Sequence, residues 1–304
     1  MQKLTPVLGM LGISLLSIGG SACSIDVRGE AIVKREEKRF VVNGPAELTL
    51  RTFDGSIQLK SWDKNEVLVE IERRGPDEKS TEALVVNTSQ DGNRIVVDVP
   101  PPREQRDGIH IGSWQSPSVS LIVTGPRKVN VQARTGDGSI SADELAGTVE
   151  LNSGDGSIQA RRVEGSLRVR TGDGSIDVTD AAGRVEADSG DGSIELSGRI
   201  EALDVRTGDG AVRLEILDGS ALKTDWSVNT GDGSITVRLP TNLDAELDAH
   251  TGDGGVHADG LPVAAERDDR NDDRENRDSL RAQIGKGGRT LRLRSGDGSI
   301  NISR

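Results

Sequence analysis

Residues 135–176 read TGDGSISADELAGTVELNSGDGSIQARRVEGSLRVRTGDGSI, and this stretch decides the fold. Its tetrapeptide Thr/Ser-Gly-Asp-Gly occurs eight times between Thr135 and the C-terminus, at spacings of 18, 18, 18, 18, 23, 21 and 44 residues. Self-similarity at such a period is typical of repeat architectures. The central aspartates of the eight copies are Asp137, Asp155, Asp173, Asp191, Asp209, Asp232, Asp253 and Asp297.

Apolar residues recur at fixed offsets within each copy. The third residue after the aspartate is always isoleucine or valine, the fifth is apolar, and the residue between them is polar in nearly every copy. Alternation with a period of two predicts strands, and Gly-containing turns separate the stretches, so each unit should form two short strands and two turns. The predicted core column consists of Ile140, Ile158, Ile176, Ile194, Val212, Ile235, Val256 and Ile300.

Two arrangements of these units are open. In a parallel β-solenoid each unit of about 18 residues is one rung, and equivalent side chains stack about 4.8 Å apart. In an antiparallel meander the same units would be consecutive hairpins. The solenoid explains better why one site keeps isoleucine or valine in all eight copies. The predicted fold class is therefore an all-β parallel β-solenoid, in which no unit folds alone.

The rest of the chain is predicted to support this solenoid, which spans 131–304. Residues 39–130 are strand-rich but irregular and read as an N-terminal β cap, because an open rung is an unpaired edge. A charged insert at about 264–282 is expected to be disordered. The C-terminal strand is expected to pair with the preceding copy or with a partner. Strands are predicted in the cap at Arg39–Val42, Glu47–Arg51, Ser56–Lys60, Glu66–Glu72, Ala83–Asn87, Asn93–Val99 and Ser118–Val123.

The N-terminus carries an export signal. Residues 1–22 contain one basic residue, an apolar run too short to span a bilayer and then small residues, which is the pattern of a cleaved secretory signal. Cys23, the only cysteine, follows directly. We expect it to be acylated as in a bacterial lipoprotein, with 23–38 as a linker; cleavage after Ala22 without lipidation is the alternative.

At this point the sequence resembles a known family. The segments Phe40–Gly44, Leu48–Leu50, Asp54–Ile57, Ser61–Asp63 and Glu66–Val69 resemble the start of the bacterial "putative adhesin" family of unknown function DUF4097, which is close to DUF2807. The later Gly-Asp-Gly-Ser-Ile repeats are similar to the stacked body of that family. The resemblance runs from Phe40 to the C-terminus. It implies a right-handed β-helix-like body, an exported or envelope location and no established enzymatic activity.

The aspartate column has two interpretations. Stacked charges about 4.8 Å apart repel one another, so something must offset the repulsion. The turn itself can do so, because Asp suits a tight turn between glycines and accepts hydrogen bonds from nearby backbone N–H groups. The alternative is calcium bound between rungs. We expect the turn role and no cofactor, with calcium as the open alternative.

Composition and the absence of catalytic motifs argue against several classes of function. Tyrosine is absent and only two phenylalanines and three tryptophans occur, while the net charge is −12, so we expect no nucleic-acid partner. Trp62, Trp114 and Trp226 are expected to be packing residues. No nucleophile elbow, Walker loop or His-Glu-x-x-His motif occurs, so no enzyme is predicted.

The predicted function is that of an exported cell-envelope module for structure or adhesion. Its partner would be an envelope or surface component, protein or glycan, and a lipid on Cys23 would attach it to the outer membrane or the periplasmic face. The alternative is a carbohydrate-binding or polysaccharide-active β-helix, with or without calcium. Of the three histidines, His250 and His257 flank one Gly-Asp-Gly turn and are expected at the solvated surface, with a metal pair as the alternative, and His110 lies in a loop fragment.

Overall fold

The computed structural model of the chain describes residues 24–28, 31–102, 116–261 and 278–304. The predicted signal peptide (1–22) and Cys23 lie outside the described residues. Within the described ranges the protein is all-β, with one short helix. The helix α1 is Glu78–Glu82, and no described helix has the length and apolar character needed to cross a membrane.

The strands follow one another along nearly the whole described chain. They are β1 Ser24–Arg28, β2 Ala31–Val41, β3 Ala46–Thr52, β4 Ile57–Trp62, β5 Glu66–Gly75, β6 Asn87–Asp91, β7 Arg94–Val99, β8 Ser118–Pro126, β9 Val129–Thr135, β10 Ile140–Asp143, β11 Ala146–Ser153 and β12 Ile158–Arg161. They continue with β13 Glu164–Thr171, β14 Ile176–Ser189, β15 Ile194–Thr207, β16 Val212–Ile216, β17 Trp226–Thr230, β18 Ile235–Arg238, β19 Ala245–Thr251, β20 Val256–Asp259, β21 Ser279–Ile284, β22 Thr290–Ser295 and β23 Ile300–Ser303.

Successive repeat units pair in parallel and in register. Ile140 lies opposite Ile158, which lies opposite Ile176, so the register advances by one whole 18-residue unit at each step. Each unit contributes one strand to each of two sheets, and we call such a pair of strands a rung. Sheet 1 holds β7, β3, β9, β11, β13, the second halves of β14 and β15, β17, β22 and β19. Sheet 2 holds β8, β4, β10, β12, the first halves of β14 and β15, β16, β18, β23 and β20.

The core lies between the two sheets and is built from stacked aliphatic columns. Most strands of the repeat alternate buried residues with half-buried or exposed ones, as the period of two predicts. Seven residues of the predicted core column are at most 1% exposed, while Val256, on the outermost rung, is half-buried. Ile57 and Leu121 extend the column into the N-terminal region. Burying each such side chain contributes about 1.5–3 kcal/mol.

The rungs do not stack in chain order at the C-terminal end. The final rung, β22 with β23, lies between the rung of β17 and β18 and the rung of β19 and β20. The C-terminal strand β23 pairs with β20 of the preceding copy, as expected, and also with β18 on its other side. The outermost strand of sheet 2 in this region is β20 instead, four residues long.

The N-terminal end shows the same exchange. The rung of β3 and β4 lies between the rung of β7 and β8 and the rung of β9 and β10. The irregular cap thus contributes two rungs of its own to the stack. The first rung along the chain (β3 and β4) is therefore covered by the rung that follows it (β7 and β8). The last rung (β22 and β23) is covered by the rung that precedes it (β19 and β20).

Antiparallel strands finish each end, so strand orientation over the whole molecule is mixed. β5 pairs antiparallel with both β8 and β2, β6 with β7, and β21 with β19. Purely parallel pairing, as predicted, holds only between rungs. Antiparallel strands suit the ends because a short hairpin covers an edge without another full coil.

Three local expectations differ from the structure. Residues 24–28 and 31–38 of the expected linker belong to β1 and β2, and residues 279–282 of the expected disordered insert belong to β21. The strand predicted over Ala83–Asn87 is wrong, because α1 ends just before it and only Asn87 enters a strand. Asp77 caps this helix by accepting a hydrogen bond from the Ser80 backbone N–H at 2.7 Å.

Candidate binding surfaces

The predicted aspartate column lies along one edge of the molecule, where the chain turns from sheet 1 to sheet 2. All eight aspartates of the repeat are exposed. Asp54, from the weaker upstream copy, is half-buried beside Asp137. Burial raises the pKa of Asp54 above its ordinary value, and the negative charge of Asp137 raises it further. The column is thus a solvated acidic ridge that becomes partly buried at its N-terminal end.

A buried column of hydroxyl groups lies directly beneath this ridge. The Ser153 hydroxyl donates to the carbonyl oxygen of Gly138 in the preceding rung at 2.8 Å and accepts from the Gly156 N–H at 3.0 Å. Thr230 does the same with Gly210 and Gly233 at 2.9 and 3.2 Å. Every hydroxyl of the column is buried and donates to a neighbouring rung. The nine residues are Thr52, Thr135, Ser153, Thr171, Ser189, Thr207, Thr230, Thr251 and Ser295.

The glycines of the turn are required by close approach of the backbone. A Cβ atom added to Gly156 would lie 2.2 Å from the carbonyl oxygen of Gly138, in the rung before it. The same approach recurs at the second glycine of each following turn. The tetrapeptide therefore recurs for two reasons. Glycine is required by the close approach of the neighbouring backbone, and serine or threonine is required by the hydrogen bonds of its hydroxyl group. Neither cause requires a bound ion, and the described residues contain no cluster of three or more His, Cys, Asp or Glu suited to a metal.

The outward side of sheet 1 carries a second, basic column. Arg134, Arg170, Arg206 and Arg294 occupy equivalent positions on β9, β13, β15 and β22. The rungs between them place Asn152, Asp188 and Asn229 at the same position, so arginine alternates with a short polar residue. Arg51 on β3 and His250 on β19 continue the row at its two ends. We call the seven residues from Arg134 to Arg294 the arginine column.

Each arginine of this column contacts an acid in the neighbouring column of the same sheet. The distances from guanidinium nitrogen to carboxylate oxygen are 3.5 Å for Arg134–Glu150, 2.8 Å for Arg170–Glu186, 2.7 Å for Arg206–Asp204 and 2.6 Å for Arg294–Asp248. Glu186 is also bound by Arg168 at 2.7 Å. The hydrogen bond from Arg168 is the main reason that the pKa of Glu186 lies below its ordinary value.

Asp248 collects three arginines at the C-terminal end of this surface. Arg294 binds it directly, and the Arg281 and Arg292 guanidinium groups lie 3.6 and 3.8 Å from its carboxylate. Burial acts to raise the pKa of Asp248, but the bond from Arg294 and the charges of the other two arginines outweigh it, so the pKa is lowered. One carboxylate among three guanidinium groups leaves this end of sheet 1 locally basic in a chain of net charge −12.

Two shallow depressions also open on sheet 1. One, of about 160 Å³, lies over β3, β9 and β11 beside Thr49, Asn130 and Gln132. The other, of about 190 Å³, lies beside Glu186 and Asp204. Burial raises the pKa of Asp204 despite the charge of Arg206. Both depressions are smaller than the 300–1,000 Å³ typical of small-molecule sites.

The remaining residues singled out in the sequence have structural or surface positions. Trp226 is buried and its indole N–H donates to the Glu201 carbonyl at 3.3 Å. Trp62 is half-buried and donates to the Glu66 carbonyl at 2.8 Å. His250 and His257 are exposed, and Trp114 and His110 lie outside the described residues.

These features define the class of the protein. It is a repetitive all-β protein with a stacked aliphatic core, turn columns fixed by glycine and hydroxyl groups, and two long polar faces. More particularly, the chain belongs to the Toastrack DUF4097 family, whose family model matches residues 46–303. No curated protein matches the sequence.

Solved structures similar to this chain come from several bacteria. A "putative cell adhesion protein" from Clostridium sporogenes is 16% identical, with 89% of this chain and 99% of that chain covered and a TM-score of 0.30. A "putative adhesin" from Bacteroides fragilis is 12% identical, covering 88% and 96%, with a TM-score of 0.40. A "putative lipid binding protein" from Parabacteroides distasonis is 15% identical, covering 88% and 96%, with a TM-score of 0.43.

Proposed function

We propose that this protein is a non-enzymatic module of the bacterial cell envelope that binds a surface component by extended, shallow contact. It is exported by the signal at residues 1–22 and attached to a membrane by a lipid on Cys23. It takes no nucleic-acid partner and needs no cofactor. Its partner is a protein or glycan of the envelope or of a neighbouring surface.

The shape of the two faces is the observation that carries this proposal. Ten rungs at about 4.8 Å each give faces roughly 45 Å long, along which outward side chains form straight columns. A long, regular surface suits a partner that is itself extended. The two depressions described on sheet 1 are shallow and small, which favours surface binding over enclosure of a small substrate.

Carbohydrate binding is the second candidate, and the chemistry of sheet 1 favours it. Amide and hydroxyl side chains such as Asn130, Gln132, Thr148 and Asn152 point outward between charged residues, and such groups hydrogen-bond well to sugar hydroxyls. A polysaccharide-active enzyme would in addition need a pair of carboxyl groups placed across a sugar-binding cleft. Acids of sheet 1 such as Glu150, Glu186 and Asp248 are instead bound by neighbouring arginines.

Binding of the purified, fluorescently labelled protein to intact bacterial cells and to isolated envelopes tests the proposal. We expect saturable binding that the unlabelled protein displaces, with no turnover of envelope polysaccharide. Absence of saturable binding to either preparation would contradict the surface-binding role, and release of sugar fragments would contradict the non-enzymatic one. Mass spectrometry of the N-terminus tests the anchor separately, because an unmodified Cys23 would overturn it.

A further inference from the structure

We propose that the arginine column on sheet 1 is a binding site for an extended anionic polysaccharide that carries one acidic group per disaccharide. This inference rests on the proposed surface-binding function and specifies the chemical class of the ligand. It concerns the row formed by Arg134, Arg170, Arg206 and Arg294.

The spacing of the column is the first argument. Between Arg134 and Arg294 arginine occurs at every second rung, so these guanidinium groups project from points about 9.5 Å apart, and Arg51 adds a further cation on the rung next to Arg134. The exchanged rung order extends this regularity to Arg294. If the rungs stacked in chain order, His250 would lie next to Asn229 and Arg294 would lie one rung further on. In the structure β22 lies between β17 and β19, which places Arg294 next to Asn229. An extended polysaccharide that is charged once per disaccharide presents its acidic groups at a comparable interval.

The state of the arginine side chains is the second argument. Arg134, Arg170 and Arg206 have side chains 56%, 44% and 57% exposed, although each contacts an acid. A guanidinium group has five N–H donors, and these contacts to Glu150, Glu186 and Asp204 use only the part that faces the neighbouring column. The acids therefore hold the arginines in one row, while other donors remain directed to solvent. Planar guanidinium groups suit bidentate recognition of carboxylate, sulfate or phosphate groups.

The residues between the arginines are the third argument. Asn152 and Asn229 are short, so they leave gaps in the row where a sugar ring can approach, and their amides can bond to sugar hydroxyls. Asp188, in the middle gap, is the one residue of the row that repels an anion. Its removal should therefore strengthen binding, which an effect of arginine on folding alone would not produce.

Other extended polyanions fit this surface less well. A peptide laid across sheet 1 would leave its backbone N–H and C=O groups without partners, because those of the sheet are used between rungs. DNA carries one charge per about 1.7 Å of duplex axis, so most of its phosphates would face no arginine. A flat anionic membrane would meet the acids of the neighbouring column as well as the arginines.

The test compares two triple variants with equal charge change. Arg134→Gln/Arg170→Gln/Arg206→Gln removes three arginines from the column, while Arg161→Gln/Arg213→Gln/Arg238→Gln removes three exposed arginines from the outward side of sheet 2. Binding is measured to immobilised hyaluronan, which has one carboxylate per disaccharide. Neutral dextran, heparin, single-stranded DNA and phosphatidylglycerol vesicles are the comparison ligands. Thermal melting confirms that both variants are folded.

We expect the sheet 1 variant to bind hyaluronan about tenfold more weakly, the product of a two- to threefold loss per arginine, and the sheet 2 variant to bind like the wild type. Asp188→Asn should bind about twofold more tightly, and wild-type binding should weaken as salt rises from about 0.05 to 0.5 M. Equal losses in both triple variants, or wild-type binding of heparin and DNA but not hyaluronan, would overturn the proposal in favour of unspecific charge. Binding of vesicles alone would overturn it in favour of a lipid surface.

The failure of this inference is distinguishable from failure of the proposed function. If labelled wild type and sheet 1 variant bind cells equally well and neither binds hyaluronan, the arginine column is not the site, although the protein still binds surfaces. If the wild type binds hyaluronan but no cell or envelope preparation, the site stands and the surface-binding role falls.

Discussion

Replacing Thr230 with valine is expected to destabilise the protein by about 2–4 kcal/mol, although the two side chains have the same shape. Thr230 is buried in the hydroxyl column. Its hydroxyl donates to the Gly210 carbonyl at 2.9 Å and accepts from the Gly233 N–H at 3.2 Å. Valine leaves both backbone groups buried without a partner, and each unpaired group costs about 1–3 kcal/mol.

Urea unfolding followed by circular dichroism measures this loss. For a chain of this size a slope near 3 kcal/mol per M makes the expected shift of the midpoint about 1 M. Thr230→Ser keeps both hydrogen bonds and removes one methyl group, so it should cost only about 0.8 kcal/mol. Thr236→Val makes the same chemical change on the outward side of sheet 2 and should change stability by less than about 0.5 kcal/mol. If the valine and serine variants at 230 proved equally stable, the hydroxyl column would not be holding the rungs together.

Three further outcomes are expected. Gly156→Ala should abolish or strongly reduce the soluble folded protein, because its Cβ would lie 2.2 Å from the Gly138 carbonyl oxygen. Gly92→Ala has no atom within 4 Å of its Cβ, so it should remain folded and lose only about 1 kcal/mol of stability because of its left-handed backbone. Soluble yield and melting temperature compare the two variants. Glu186 has a pKa below its ordinary value, so its stabilising effect is complete above the ordinary pKa and is lost as the pH falls through the lowered pKa. Melting temperatures measured between about pH 7 and 2 should show Glu186→Gln less stable than wild type at neutral pH and equal to it at the acidic limit. A constant difference between the two proteins over this pH range would contradict this sign. Melting in calcium and in a chelator should give the same midpoint, because the aspartates of the ridge are exposed and their turns are fixed by glycine and hydroxyl groups; a higher midpoint in calcium would restore the ion-binding interpretation.

Much of the rung could be predicted from the sequence because it depends on short-range patterns. The spacing of Ile140 and Ile158, together with their polar neighbours, determines both the strand period and the stacking offset. The tetrapeptide shows a serine or threonine at the start of each turn, but the pattern within one unit cannot show that the carbonyl bound by Ser153 belongs to the preceding rung.

The order of the rungs could not be predicted in this way. All units expose nearly the same edges, so repetition alone does not decide which unit lies beside which. The 44-residue interval before Asp297 was consistent with a simple insert, and nothing in its local pattern shows that β22 passes back between β17 and β19. Most of the arginine column could have been found, since Arg134, Arg170 and Arg206 occur at equal intervals in chain order. Only the position of Arg294 depends on the exchanged rungs.

The helix α1 could have been found from sequence. Pro76 and Asp77, followed by Glu78, form an N-terminal capping signal in front of residues with adequate helix propensity. The strand prediction over Ala83–Asn87 was based on its apolar residues instead. Leu84 is buried, but Val85 is 54% exposed, so this segment lacks the alternation of a strand.

The enclosed position of the rung formed by β22 and β23 has a consequence for the order in which the chain folds. A chain that emerges N-terminus first, from a ribosome or a translocation channel, releases β19 and β20 before the segment that must sit inside them. β19 can already pair with β21, but β20 has no neighbouring rung until Thr290–Ser303 arrives, so this end of the stack is completed only when β22 and β23 enter between the two rungs. The same arrangement opposes unfolding from the C-terminal strand, because β23 is hydrogen-bonded to β18 on one side and to β20 on the other.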